Sequence, residues 1–186
     1  MGALDIKLHA LGALVAIALL SPWLWSIAVA AGLSSPRRVL GMIGATLACW
    51  MLLIAVSWLT ARFHQWAGSG DTSTLQTKMV DAMVRTGASE YGAWAVFVMV
   101  AVLTPILEEL VFRGLLLAGL TRHIGFAWAN LAQAVLFSSI HADPPRFVFY
   151  LALGWLAGWL VRRYRSLWPA VLLHVLNNAL ATWATL

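Results

Sequence analysis

Two adjacent carboxylates and a guanidinium lie inside a stretch that otherwise reads as membrane-spanning hydrocarbon, residues 103–114, LTPILEELVFRG. This feature constrains the chain more than any other. An ionised side chain near a bilayer centre costs at least about 2.5–3.5 kcal/mol on insertion scales, so each must be compensated from within the protein. Helix geometry separates the three. Positions i and i+1 are turned about 100° apart, while i and i+4 share a face. Glu109 and Arg113 are therefore placed to neutralise one another, with the Glu N-terminal to the Arg. Glu108 points elsewhere, toward Thr104 and Phe112. A carboxylate without a partner on its own helix must find one on another helix or in water, or keep its proton. Glu108 is the candidate for chemistry.

The hydrocarbon reading rests on composition. The 186 residues are 62% hydrophobic and 10% charged, with a mean hydropathy of +0.84, whereas soluble domains are about half apolar and about a quarter charged. The fold class expected is all-α, a polytopic transmembrane bundle with membrane lipid as its surroundings. A net charge of +5 raises the question of nucleic acid. The basic residues, however, stand at the ends of apolar runs (Arg37, Arg38, Arg162, Arg163, Arg165), where lipid headgroups await them. No basic stripe or nucleic-acid module is present, and nucleic acid is excluded as a partner. Cys49 is the only cysteine, which rules out an intramolecular disulfide and a multi-cysteine metal site.

Taken in order, the apolar runs give about six spans. Residues 1–63 hold two, at 6–33 (bent at Pro22 and too long for a cleaved signal) and 39–63, with packing as their expected role. Residues 64–90 form a polar connector. Within it Ser73-Thr74-Leu75-Gln76 resembles a capping box, Leu75, Met79 and Met83 recur every four residues, and Gly87 supplies a stop. This predicts a short amphipathic helix lying on the membrane surface. Residues 91–186 hold four spans, at 91–120, 126–140, 147–161 and 167–186. Pro105 is expected to bend the first of these and free a carbonyl. Most tryptophans are expected as interfacial anchors. Arginine-rich short loops after alternate spans favour both termini outside.

Apart from the Glu109–Arg113 pair, the later spans carry few polar groups: Glu108, Asn130, Gln133, His141, His174, Asn177 and Asn178. His174 and Asn178 share a helix face. Lipid cannot satisfy such groups, so bundles turn them inward, toward one buried pocket. A carboxylate near an imidazole can deprotonate a water, and an imidazole with an amide can stabilise an oxyanion. His9, His64 and His123, near span ends, are expected to be packing residues, as are Phe112 and Phe137. Asn177 competes with Asn178 as the amide, and the i+4 spacing favours Asn178.

The pattern Glu108-Glu109-x-x-x-Arg113, Phe137-x-x-x-His141 and His174-x-x-x-Asn178 resembles the CPBP family of intramembrane proteases, the CAAX-protease and bacteriocin-processing or Abi proteins. The resemblance covers about half the chain. It implies an endopeptidase acting on a membrane-associated protein or peptide. In that reading Glu108 activates the attacking water with help from His141, and His174 and Asn178 stabilise the tetrahedral intermediate. Glu109 and Arg113 are then structural. No cofactor is the preferred expectation. The alternative is catalytic zinc held by Glu108, His141 and His174 with an open fourth position. Two other functions fit the same residues: a non-catalytic immunity or scaffold protein, and a transporter or proton channel using Glu108 and the histidines as a relay.

Overall fold

The computed structural model describes residues 39–68 and 73–186, and these are helical, without a β-strand. The span expected at 6–33 lies outside the described residues. α1 is Val39–Trp66 and α2 is Leu75–Tyr91. A long composite helix follows. It begins as α3 (Ala93–Phe97), passes through a π-helical segment Val98–Leu103 into α4 (Thr104–Glu109), and through a second π segment Leu110–Leu117 into α5 (Ala118–Ile140). α6 is Phe147–Tyr164 and α7 is Trp168–Thr185. Among the described residues, two helices are long and apolar enough to cross a bilayer by themselves, Val39–Trp66 and the composite Ala93–Ile140.

The composite is not straight. Gly125 takes φ 74° and ψ 163°, a left-handed conformation that glycine adopts without a Cβ penalty. There the chain reverses, and the second part of α5 packs back along the Leu110–Leu117 segment and against α6. The bundle therefore has two ends. At one, Tyr164 Oη donates to Gly41 O (2.7 Å), and the Arg162 guanidinium lies 4.2 Å over the Phe126 ring. At the other, His64 Nε2 meets Pro145 O at 3.2 Å. Cys49 and Leu53 of α1, Phe112, Phe137 of α5, Leu153, Ala157 and Leu160 of α6, and Ala170 and Leu173 of α7 form the buried core.

α5 and α6 approach closely because Gly154 and Gly158 face α5. A Cβ at Gly154 would stand 2.9 Å from Ala134 Cα, and one at Gly158 would overlap Asn130 Oδ1. The contact is a small-xxx-small ridge of the kind that drives helix association in lipid. Polar side chains clasp it. Asn130 Nδ2 donates to Trp155 O (3.1 Å), and Gln133 Nε2 donates to Gly154 O (2.9 Å).

The amphipathic helix α2 forms as expected, with its start and stop corrected. Its cap is Thr74 rather than Ser73, and the box closes between Thr74 and Thr77, not Gln76: Thr77 N–H donates to Thr74 Oγ1 and Thr74 N–H to Thr77 Oγ1. A threonine hydroxyl at the third helical position does the work expected of the glutamine amide. Gly87 does not stop the helix, which runs on to Tyr91 and ends at Gly92 with φ 89°. Gly87 serves close approach instead, since a Cβ there would come within 2.9 Å of Val96 Cγ2.

Candidate active site

The site is built where the composite helix departs from α geometry. In the Val98–Leu103 segment the N–H groups reach back five residues, and Thr104 N–H bonds Met99 O in that register. The next rung would run from residue 105 to Val100 O. Pro105 has no N–H to give, so the Val100 carbonyl is left free, as the proline implied. Asn178 Nδ2 on α7 takes it at 3.2 Å. A backbone defect on one helix thus fixes the amide of another, and π segments recur at functional sites for such reasons. Asn177 Nδ2 contacts Asn178 Oδ1 at 3.4 Å.

Five residues on from Thr104, Glu109 is fully buried. Its Oε1 accepts from Arg113 Nη1 at 2.8 Å, the expected i, i+4 pair, with both side chains wholly shielded. The same oxygen lies 2.8 Å from His174 Nδ1, a contact across 65 residues of sequence. With Glu109 ionised against Arg113, Nδ1–H must be the donor, and this fixes the tautomer and leaves Nε2 directed elsewhere. The pair is therefore more than a staple within one helix, because it also orients an imidazole. Arg113 reaches on to Gly154 O (3.4 Å) and lies 4.6 Å over the Phe137 ring.

Glu108 sits on the other face. Its side chain is 28% exposed, and Oε2 stands 3.7 Å from His174 Nε2. That separation exceeds a direct hydrogen bond. Oε2 is buried and has no hydrogen-bond partner within the protein. The two glutamates therefore address opposite nitrogens of one imidazole.

His141 caps the C-terminal end of α5. Its Nδ1 lies 2.7 Å from Phe137 O, and its ring is stacked on Tyr150 at 4.0 Å between centroids, with planes 24° apart. Phe137 touches both imidazoles, at 4.6 Å from His141 and 5.7 Å from His174. His141 and His174 are thus gathered around one phenyl ring.

Expected site residues that come together are Glu108, Glu109, Arg113 and His174, with Asn178 one turn further along α7 and His141 beside Phe137. Among the described residues no three His, Cys, Asp or Glu side chains gather as a metal-ligand set. Glu108 and His174 approach one another. Sequence reasoning missed three features. Phe137, a core packing residue as expected, also touches both imidazoles, Tyr150 covers His141, and the Gly154–Gly158 ridge brings α6 against α5. Only the last had a visible signal, its four-residue glycine spacing.

Comparison with known proteins places this geometry in context. Residues 90–180 match the family described as type II CAAX prenyl endopeptidase Rce1-like. A protein of Bacillus subtilis (strain 168) named "Putative membrane peptidase YdiL" is 31% identical over 78 residues, which is 42% of this chain and 32% of that protein. The match thus spans about a third of the length of this curated relative. No solved structure matches the chain.

Proposed function

We propose that this chain, whose residues 90–180 match the type II CAAX prenyl endopeptidase Rce1-like family, is an intramembrane endopeptidase of the glutamate type. The observation that carries the proposal is the Glu108–His174 gap. A buried, unpartnered carboxylate oxygen faces an imidazole nitrogen across 3.7 Å, while Glu109 holds the ring from behind. A water beside the pair can bond both groups.

The chemistry follows from these parts. Glu108 takes a proton from the water, aided by His141, and the hydroxide oxygen bonds to the scissile carbonyl carbon. The carbonyl oxygen becomes an oxyanion, met by the second Nδ2 hydrogen of Asn178, whose first is spent on Val100 O, and by His174 in its imidazolium form, with a proton on Nε2 besides the Nδ1–H held by Glu109. Glu108 then passes its proton to the amide nitrogen as the C–N bond breaks. Glu109 acts as the buried carboxylate of a Ser-His-Asp triad acts, orienting the ring and compensating its charge. No metal is required in this scheme. The substrate is a membrane-associated protein or peptide, and no group described at the site demands a prenyl chain.

We read α1, the two arms of the composite helix, α6 and α7 as membrane passes, with residues 6–33 as a further one, in a prokaryotic plasma membrane. The test is cleavage of a library of membrane-tethered peptides by the purified full chain in nanodiscs. Cleavage is expected to survive exhaustive chelation and to vanish in Glu108→Gln with the melting temperature unchanged. Retained cleavage in that variant overturns the proposal. Loss on chelation with recovery on adding zinc replaces the glutamate mechanism with a metal-dependent one.

A further inference from the structure

His141 stands at a place where a side chain is hard to hold still. It is the capping residue of α5, and beyond it Ala142 takes φ 49°, a left-handed backbone rare outside glycine, before Pro144 and Pro145 turn the chain into α6. No further helical turn confines the imidazole. Its backbone N–H has moved from the α register to Ser138 O (3.3 Å), which leaves Phe137 O to the ring nitrogen Nδ1. That single bond selects the tautomer and leaves Nε2 open, but it does not set the plane of the ring.

The plane is set from across the turn. Tyr150 lies in the first turn of α6, nine positions after His141, and covers the imidazole almost in parallel at 4.0 Å. Phe137 closes the other contact at a tilt of 52°. Tyr150 is itself braced. It meets Phe149 edge-on at 5.5 Å and packs against the buried core. Ser138 Oγ donates to Phe147 O at 2.6 Å, which pins the end of α5 to the start of α6. Asp143 and Arg146 pair across the turn at 2.8 Å.

We propose that Tyr150 is a positioning residue of the cleavage site, its ring fixing the plane of His141 so that Nε2 is presented to the water that Glu108 activates. The inference rests on the proteolytic reading above and deepens it by adding a residue that none of the three sequence motifs contains. Stacking rather than the hydroxyl is the operative feature, so the ring must be kept and the oxygen need not be.

The experiment compares Tyr150→Phe and Tyr150→Leu in the full chain in nanodiscs, using the tethered peptide that the wild type cleaves fastest. Phenylalanine is expected to keep kcat within about threefold. Leucine is expected to lower kcat at least about tenfold, with KM changed less than about threefold, since a small misplacement of a catalytic group costs one to two orders of magnitude. In parallel, the imidazole proton signals of His141, assigned by their loss in His141→Asn, should carry a ring-current upfield shift that persists in Tyr150→Phe and disappears in Tyr150→Leu. Should the leucine variant melt early, Tyr150→Met fills similar space without a planar face and carries the same comparison. The proposal is overturned if leucine or methionine leaves kcat within twofold, if phenylalanine loses as much as they do, or if the His141 signals do not move. A wild type that cleaves no peptide refutes the protease reading alone, because the imidazole signals report on the ring contact without turnover.

Discussion

Replacing each of the adjacent glutamates by alanine should have opposite consequences. Glu109 Oε1 accepts two short bonds, from Arg113 Nη1 and His174 Nδ1, both at 2.8 Å and fully buried. In Glu109→Ala the guanidinium would keep only its 3.4 Å contact with Gly154 O and its place over the Phe137 ring. Breaking a buried ion pair from one side costs about 3–5 kcal/mol. The lost bond to His174 belongs to the same network, so it does not simply add to that figure. Native domains have only about 5–15 kcal/mol to lose. At about 2–4 °C per kcal/mol for a chain of this size, the variant should melt at least about 6 °C below wild type and be inactive. Glu108→Ala removes a partly exposed side chain whose Oε2 bonds nothing within the protein. Its melting temperature should stay within about 2 °C of wild type, as for substitutions that break no named interaction, while cleavage is lost. Tryptophan fluorescence during thermal unfolding in one detergent measures both. Equal melting temperatures for the two variants would refute the division of labour argued from the helix faces and from the shared oxygen.

Three further outcomes follow from local geometry. Gly158→Ala forces a methyl into Asn130 Oδ1, which is buried and whose side chain holds both Trp155 O and Gln133, and overpacking of this kind should cost about 1–3 kcal/mol in the same melting assay. His64→Ala removes the tie from α1 to Pro145 O in the turn after His141; a loss of about 0.5–1.5 kcal/mol and a severalfold fall in kcat are expected in melting and peptide-cleavage assays. Thr74→Val removes the side-chain arm of the α2 capping box and leaves the residue-74 N–H on Thr77 Oγ1; it should destabilise that helix by about 1 kcal/mol, read as faster amide exchange at residues 75–78 with the exchange of α6 unchanged.

What the sequence by itself determined is local. Apolar runs of bilayer length force helices, because lipid leaves the backbone no other way to satisfy its polar groups. The 3.6-residue period separates Glu108 from Glu109 and pairs Glu109 with Arg113. The missing N–H of Pro105 dictates a free carbonyl somewhere above it. These relations are set within a few residues of chain, so they are legible without coordinates. Even there, side-chain chemistry near an end could be misassigned, as at the capping box and at Gly87.

The tertiary structure decided which partners those groups found. His174 sharing an oxygen with Arg113, Asn178 taking the carbonyl that Pro105 released, and Tyr150 stacked on His141 all depend on how far α6 and α7 slide along the composite helix. That register is set by shape. Gly154 and Gly158 let α6 lie against α5, Gly125 turns α5 back on itself, and the π segments shift which face of the composite meets α7. Contacts between helices have no period in the sequence, because the crossing that creates them is the outcome of packing many side chains at once.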